Sequence, residues 1–331
     1  MTRSVPVATL LPASAESTTA VAFVIPAFNE ARLIAETIAS IHTAMRSISA
    51  YEVIVVDNGS TDDTVQLAQR AGARTLVDPH ATVAGLRNLG VRAASAEVIV
   101  FLDADVALTG AWTDNIRATL SDLAANPRLI TGSWCGVPDN PSWIERFWFA
   151  PKAAGGNNHI NSGHMVLCRA FFDEIGGFDP DLQTGEDYEL SVRATTAGGD
   201  MREAPGLAVV HHGYPRSLAA FVRREIWHGR SDFTSVRAVV RSRVAVATVV
   251  FLALHLFAIV SFALHAPVAG IGALLGVAGL CMAAAAWQFR RDGLPVILVD
   301  SALYYFYFLG RTAALLSATV SRNTFVPRDR R

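Results

Sequence analysis

Val98-Ile99-Val100-Phe101-Leu102-Asp103-Ala104-Asp105 joins an unbroken apolar run to a pair of carboxylates one residue apart. A short apolar run rich in β-branched residues is the pattern of a strand buried on both faces, as in a parallel sheet, and open α/β sheets bind ligands beyond the carboxyl ends of such strands. The aspartates therefore emerge where a binding crevice is expected. Carboxylates are hard oxygen ligands suited to Mg²⁺ or Mn²⁺, ions that keep positions open for water and phosphate, so the pair points to a phosphorylated or nucleotide substrate. Taken alone, an Asp-x-Asp also fits a strand-end turn in which Asp105 caps a following helix.

Working outward, residues 21–25, 51–56 and 74–77 read as further strands, with helical patterns near 31–46, 63–71 and 83–94 between them. This alternation is the signature of βαβ units around a mostly parallel sheet. The strand ends carry Pro26-Ala27-Phe28-Asn29-Glu30 and Asp57-Asn58-Gly59-Ser60-Thr61-Asp62. Singly, Asn29-Glu30 also reads as a helix N-cap with acidic support, and 57–61 as a turn leading to Thr61 as a cap. Together, three polar clusters converge on one sheet edge.

With 331 residues the chain exceeds one catalytic domain. Its net charge of −1, with no compact Lys/Arg patch in the first 200 residues, argues against a nucleic-acid partner. Cys135, Cys168 and Cys281 have neither metal-ligand spacing nor the density of a disulfide framework, which fits a reducing cytosol. A mean hydropathy of +0.32 with 17% charged residues is high for a soluble enzyme, and the excess lies after Arg243. Residues 244–264 and 266–287 are each long enough to cross a roughly 30 Å hydrocarbon core, with a tight turn at His265-Ala266-Pro267. Residues 294–316 form a third apolar stretch, which carries Asp300 and Arg311 at a cost in mid-membrane.

Arg237, Arg241, Arg243, Arg290 and Arg291 flank the hairpin and place both flanks in the cytoplasm. Arg322, Arg328, Arg330 and Arg331 follow the third stretch, and a full third crossing would put them outside. Its aromatic cluster from Tyr304 to Phe308 also suits an interfacial position, but the third stretch is expected to insert as a transmembrane helix, with Asp300 and Arg311 near its ends or facing the other helices. The expected organisation is a disordered lead-in over 1–19, a cytoplasmic catalytic domain over 20–230, a basic linker over 231–243, a membrane region over 244–318 and a basic tail over 319–331. The protein is expected in the cell (inner) membrane with several passes.

The motifs Val24-Ile25-Pro26-Ala27-Phe28-Asn29-Glu30, Val55-Val56-Asp57-Asn58-Gly59-Ser60-Thr61-Asp62, Gly85-Leu86-Arg87-Asn88-Leu89-Gly90 and Asp103-Ala104-Asp105 follow one another in order. Asn161-Ser162-Gly163-His164-Met165-Val166, Ile175-Gly176-Gly177-Phe178-Asp179 and Thr184-Gly185-Glu186-Asp187-Tyr188-Glu189-Leu190 continue the series. Over residues 20–230 the chain resembles glycosyltransferase family 2. The resemblance implies an α/β GT-A fold with a Rossmann-like, mostly parallel sheet, a nucleotide-sugar donor in the first half and an acceptor in the second. It assigns Pro26, Ala27, Asn29 and Glu30 to the loop around the nucleoside, Asp57 to base or ribose, and Arg87 to the base side. Asp103 and Asp105 match the metal-diphosphate motif, Asp105 as direct ligand, with His211 or His212 completing the metal shell. Ser162, Gly163 and Glu186 fall on the acceptor side, and Asp187 is the general base of an inverting transfer.

These roles are chemically coherent. Carboxylates repel a diphosphate unless a cation lies between them, and a bound cation stabilises charge on the departing nucleoside diphosphate. Deprotonating an alcohol needs a positioned carboxylate or imidazole. Glu186-Asp187 also reads as the acidic first turn of a helix capped by Thr184. The Gln-x-x-Arg-Trp pentapeptide of many processive members is missing, which favours transfer of a single sugar. In its place, Arg223, Arg224, Trp227 and Arg230 lie on an amphipathic stretch before the spans. Arg223, Arg224 and Trp227 are expected at the acceptor, where the arginines either hold a phosphate of a lipid-linked molecule or meet anionic headgroups. A polyprenyl phosphate or glycolipid of the cell envelope is the natural acceptor. A nucleotidyltransferase and a non-catalytic membrane scaffold are the alternatives; no glycine-rich, lysine-bearing phosphate loop supports the first, and the retained aspartates oppose the second.

Overall fold

A computed structural model describes residues 21–48, 50–151, 159–182, 184–230, 232–233, 235–290 and 293–323. The lead-in expected at 1–19 lies outside them, as do Arg291, the side chain of Arg322 and residues 324–331 of the expected basic tail.

The four expected strands form one edge of the main sheet: β1 (Val21–Ala27), β2 (Tyr51–Asp57), β3 (Arg74–Val77) and β4 (Val98–Leu102). β1 pairs in parallel with β2 and β4, and β2 with β3, so Ala27 lies beside Asp57 at the carboxyl end. Every residue of β1 is buried, as a strand covered on both faces must be. On one face α1 (Ile34–Ala44) brings Ile34, Ile38 and Ile41, spaced for a single helical stripe, onto Phe23, Ile25 and Val55. On the other, α3 (Val83–Ala93) brings Ala84, Leu86 and Val91 onto Val24, Val56 and Phe101. Burying each large apolar side chain of these layers contributes about 1.5–3 kcal/mol. Between β2 and β3 the crossover is the short α2 (Thr64–Arg70).

Beyond β4 the plan changes. β5 (Val106–Leu108) leaves the main sheet, and α4 (Gly110–Ala125) and β6 (Leu129–Gly132) follow, then β7 (Cys135–Gly136). β8 (His164–Cys168) inserts antiparallel between β4 and β6, and α5 (Arg169–Glu174), α6 (Glu186–Thr196), β9 (Asp200–Glu203) and β10 (Val209–His211) complete the domain. The main sheet has the order β3-β2-β1-β4-β8-β6-β9, and a small sheet has the order β5-β10-β7. The expectation of a mostly parallel sheet holds, with β8 as its antiparallel member.

Among the described residues the chain then becomes helical: α7 (Leu218–His228), α8 (Val236–Arg241), α9 (Arg243–Ala263), α10 (Pro267–Gln288) and α11 (Leu294–Asn323). α9 and α10 are the expected hairpin, turning through His265 at φ 55°. Both are long and apolar enough to cross a membrane. The third stretch is a single helix of 30 residues, longer than the 294–316 expected. It packs on the catalytic layer as well as on the hairpin. Leu303 shares a cluster with Ile144, Trp148 and Phe221, while Phe308 packs with Phe251, Val277 and Cys281.

Candidate functional site

The turn after β4 and the register of the small sheet build the acidic cluster. Val106 N–H donates to the Asp103 carbonyl (3.1 Å), closing a tight turn that sends the chain into β5. β10 runs antiparallel to β5 with His211 opposite Val106, so the end of a strand a hundred residues downstream arrives beside Asp105. Ligand atoms of Asp103, Asp105 and His211 all lie within 4.8 Å of one another. His211 Nδ1 is 3.6 Å from Asp105 Oδ2 and accepts the Gly213 N–H (3.1 Å). His212 turns away, its Nε2 lying 3.9 Å from Glu36. Of the two histidines expected as alternatives, His211 is the one at the cluster. Gly213 has no substitute here, since a Cβ would lie 1.7 Å from Asp105 Oδ2. Asp105 is not a helix cap: Thr109 caps α4 by accepting the Trp112 N–H.

Electrostatics sharpen the picture. Burial pushes the Asp105 carboxyl above its ordinary range, with His211 pulling the other way. Glu30 is pushed up to about 7, first by burial and then by the charges of Asp105 and Asp103. Carboxylates that raise one another's affinity for protons are short of positive charge. Two hard oxygen donors and one imidazole suit Mn²⁺ or Mg²⁺.

Around the cluster opens a cavity of ≈ 830 Å³. Pro26, Ala27 and Glu30, from the end of β1 and the loop after it, line it. Asn29 and Asp57 are not part of its lining. Asn29, at φ 57°, donates its N–H to Ser60 Oγ (2.8 Å) and accepts the Thr61 N–H (2.9 Å), tying the loop after β1 to the loop after β2. Neither it nor Thr61 caps a helix. Asp57 is 1% exposed, and its Oδ2 accepts from the backbone of Gly59 and Ser60, both at 2.8 Å. It shapes the turn, while its neighbour Asn58 reaches the cavity.

Arg87 also lines the cavity. Its guanidinium is 3% exposed and bridges Asp103 Oδ1 (2.8 Å) and Glu186 Oε1 (2.8 Å). One bond from each terminal nitrogen is made within the protein, so Arg87 joins the two halves of the site. Glu186 also accepts from Ser162 Oγ (3.1 Å). Ser162 lines the cavity; Gly163 packs under the cluster, where a Cβ would meet Asp103 Oδ2 at 2.8 Å. Asp187, the next residue along α6, is half-buried and lines the cavity. The cap of α6 is Gly185 in the left-handed region at φ 78°, not Thr184, and no side chain caps that end.

On the tail side α7 presents Arg224 and Trp227 to the cavity. Arg223 and Arg230 are exposed and lie outside its lining. Of the arginine pair expected at the acceptor, Arg224 is the one in the cavity lining. Sequence reasoning missed Trp134, Phe149 and Tyr214, which also line the cavity. The aromatic density of Trp143-Ile144-Glu145-Arg146-Phe147-Trp148-Phe149 was the available signal for one of them. No motif marks Trp134 or Tyr214.

The sequence profile of Glycosyl transferase family 2 matches residues 22–175. An uncharacterised glycosyltransferase of Mycobacterium bovis is 31% identical over 186 residues, covering 54% of this chain and 80% of that protein. The pre-mycofactocin glycosyltransferase of Mycobacterium tuberculosis is 26% identical over 241 residues, covering 66% of this chain and 48% of that protein. The chain therefore spans about half the length of that relative. Among solved structures, a mannosyltransferase from Pyrobaculum calidifontis in complex with GDP-Man and Mn²⁺ is 20% identical, with a TM-score of 0.51 over 92% of this chain and 87% of that one. That likeness speaks for the fold, which is GT-A. Profile, relatives and architecture agree, and the chain belongs to glycosyltransferase family 2.

Proposed function

We propose that this protein transfers a single sugar from a nucleotide-sugar to an acceptor at a membrane surface, with inversion at the anomeric carbon. The observation that carries the reading is the meeting of Asp103, Asp105 and His211 inside a cavity that Asp187 also lines. Asp105, Asp103 and His211 would hold a divalent cation. When bound, the cation would offset the diphosphate's charge and stabilise the leaving nucleoside diphosphate. The relative in complex with GDP-Man and Mn²⁺ supports the same donor chemistry.

The remaining chemistry belongs to side chains. Asp187 accepts the proton of the acceptor hydroxyl. The freed oxygen bonds the anomeric carbon as the bond from that carbon to the diphosphate oxygen breaks. Pro26, Ala27 and Asn58 border the donor end, and Arg224 and Trp227 the acceptor end. Arg224 is the cation available to an acceptor phosphate. The Arg87 bridge holds Asp103 and Glu186 at fixed separation, so Asp187, beside Glu186, keeps its place relative to the cluster.

A membrane location is supported by α9 and α10, of 21 and 22 residues, which expose Leu256, Phe257, Ile259, Val268, Ile271 and Leu275. Such a continuous apolar face is stable against lipid and unfavourable in water. The exposed Arg237, Arg241, Arg243 and Arg290 at the hairpin ends favour cytoplasmic flanks, where nucleotide-sugars are available. A lipid-linked acceptor of the cell envelope follows from that location.

The test is to incubate the detergent-solubilised full chain with a panel of nucleotide-sugars and Mn²⁺ and follow nucleoside diphosphate release. Release with one donor, abolished by chelation, is the expected result, and proton NMR of the product reports its anomeric configuration. Metal-independent turnover would overturn the cation assignment.

A further inference from the structure

Four side chains in the cavity wall form one stack. The His211 imidazole lies on the Tyr214 ring at 4.0 Å between centroids and 7° between planes. Tyr214 lies on Phe149 at 4.0 Å and 17°. The Arg224 guanidinium carbon sits 5.1 Å from the centroid of Phe149. One end of the column is at the carboxylates, and the other is the cation of α7.

Both ends are anchored. Tyr214 donates its hydroxyl to the Cys135 carbonyl on β7 (3.0 Å), which fixes the ring against the small sheet. Phe149 closes a π-helical turn, Glu145–Phe149, in which the preceding residue, Trp148, is seated among Phe221, Phe289, Tyr304 and Tyr307. π-Helical turns are rare and concentrate at functional sites, and this one directs adjacent aromatics to opposite sides, one into the tail and one into the cavity. Arg224 is held by Glu225 (2.8 Å), which is held in turn by Arg311 of α11 (3.0 Å).

A histidine at a metal site needs its ring plane fixed, because a freely rotating imidazole loses entropy on ligation. Elsewhere a hydrogen bond to the second ring nitrogen usually does this, and removing such support weakens metal binding about 10–100-fold. Here His211 Nδ1 accepts the Gly213 N–H (3.1 Å), and the stacked ring face adds a second constraint on the plane. We propose that Tyr214 and Phe149 are positioning residues, a stacked aromatic column that holds the His211 imidazole in the plane from which it binds a divalent cation. The proposal rests on the cation assignment made above and adds to it the source of the third ligand's orientation.

Mn²⁺ binding to the full chain in detergent, read by electron paramagnetic resonance of free Mn²⁺, tests it without an acceptor. Tyr214→Leu keeps bulk and removes the flat face, and should weaken Mn²⁺ about 10–100-fold. Tyr214→Phe keeps the stack and loses the bond to Cys135, and should stay within about threefold of the parent. Phe149→Leu, one layer further from the metal, should weaken binding by less than Tyr214→Leu does. Thermal melts confirm that each variant folds; if Tyr214→Leu does not, Tyr214→Phe and Phe149→Leu carry the comparison. Unchanged Mn²⁺ affinity in folded Tyr214→Leu or, if that fails to fold, in Phe149→Leu, overturns the column, as does a Tyr214→Phe loss as large as that of the leucine variant. Asp105→Ala separates the two levels: if it binds Mn²⁺ like the parent, the cation assignment itself fails, whereas its loss beside an unaffected Tyr214→Leu removes the column alone.

Discussion

The two walls of the cavity, the proposed donor wall and the proposed acceptor wall, are built by opposite strategies. On the donor side, three parallel strands end together, and their loops are tied by short bonds between the first and second βα turns, such as Asn29 N–H to Ser60 and Glu30 N–H to Thr64 (2.8 Å). Side chains there serve mainly to shape backbone. On the acceptor side, single residues from distant segments are brought in by an antiparallel insertion, a second sheet and a helix that also touches the tail. Arg87 is bonded to Glu186 across 99 positions of sequence, and His211 reaches Asp105 only through the β5–β10 register. The donor wall is a local consequence of βαβ winding; the acceptor wall depends on long-range fit.

If that contrast holds, damage should depend on which wall is struck. The largest effect is expected from Asp105→Ala, which removes the carboxylate facing His211: turnover should vanish and donor binding should lose its metal dependence, measured by nucleoside diphosphate release with and without Mn²⁺. Next is Asp187→Asn, which preserves shape without accepting a proton; transfer should fall roughly 10²–10⁴-fold while nucleotide-sugar affinity, measured by calorimetry, is kept. An equal loss of donor affinity would move Asp187 to the donor wall.

Arg87→Met strikes the joint between the walls. It leaves Asp103 and Glu186 facing each other without their cation, and should destabilise the fold by about 3–5 kcal/mol in a denaturant titration. A loss below about 1 kcal/mol would mean that the bridge is dispensable.

A milder, pH-dependent effect is expected at His164. This buried ring accepts the Trp112 indole N–H (2.9 Å) and faces Ser133, and burial pulls its pKa down to about 4. Between pH 4 and about 6.5 the unfolded chain holds a proton that the fold rejects. His164 therefore costs no stability above about pH 6.5, and stability should decline as pH falls from there toward 4. Melting temperatures of the parent and His164→Gln over that range check this, the variant showing the shallower slope. The smallest effect belongs to Arg223→Ala. Being exposed outside the cavity, it should leave both activity and stability within about 0.5 kcal/mol of the parent, whereas Arg224→Ala raises the acceptor KM.

The same contrast explains what could be read in advance. The first four strands, the three helices between them and the cluster at their carboxyl ends were legible, because each is encoded in a few adjacent residues. Even there, the bonds by which Asp57 shapes its own turn and Asn29 ties its loop to the next were not legible, because they depend on how the two loops fold in space. The choice between His211 and His212 was illegible, since only a pairing register separates them. The Arg87 bridge was illegible because its partner Glu186 lies far along the chain. Phe149 and Tyr214 carried no signal of meeting, because a stack is made in space by a π-helical turn and a strand end that have no pattern in common.

The bond from Arg311 to Glu225, together with the Trp148 socket, has an outcome for how the molecule can be divided. Cutting the chain after Arg230 would strip the cover from Trp148 and Phe221 and strand the carboxylate of Glu225, which is 1% exposed, beside Arg224 alone. The catalytic head and the helical tail thus form a single lever, not beads on a string. The mouth of the cavity keeps one bearing toward α9 and α10, and an acceptor held by those helices would meet it at a set height and angle.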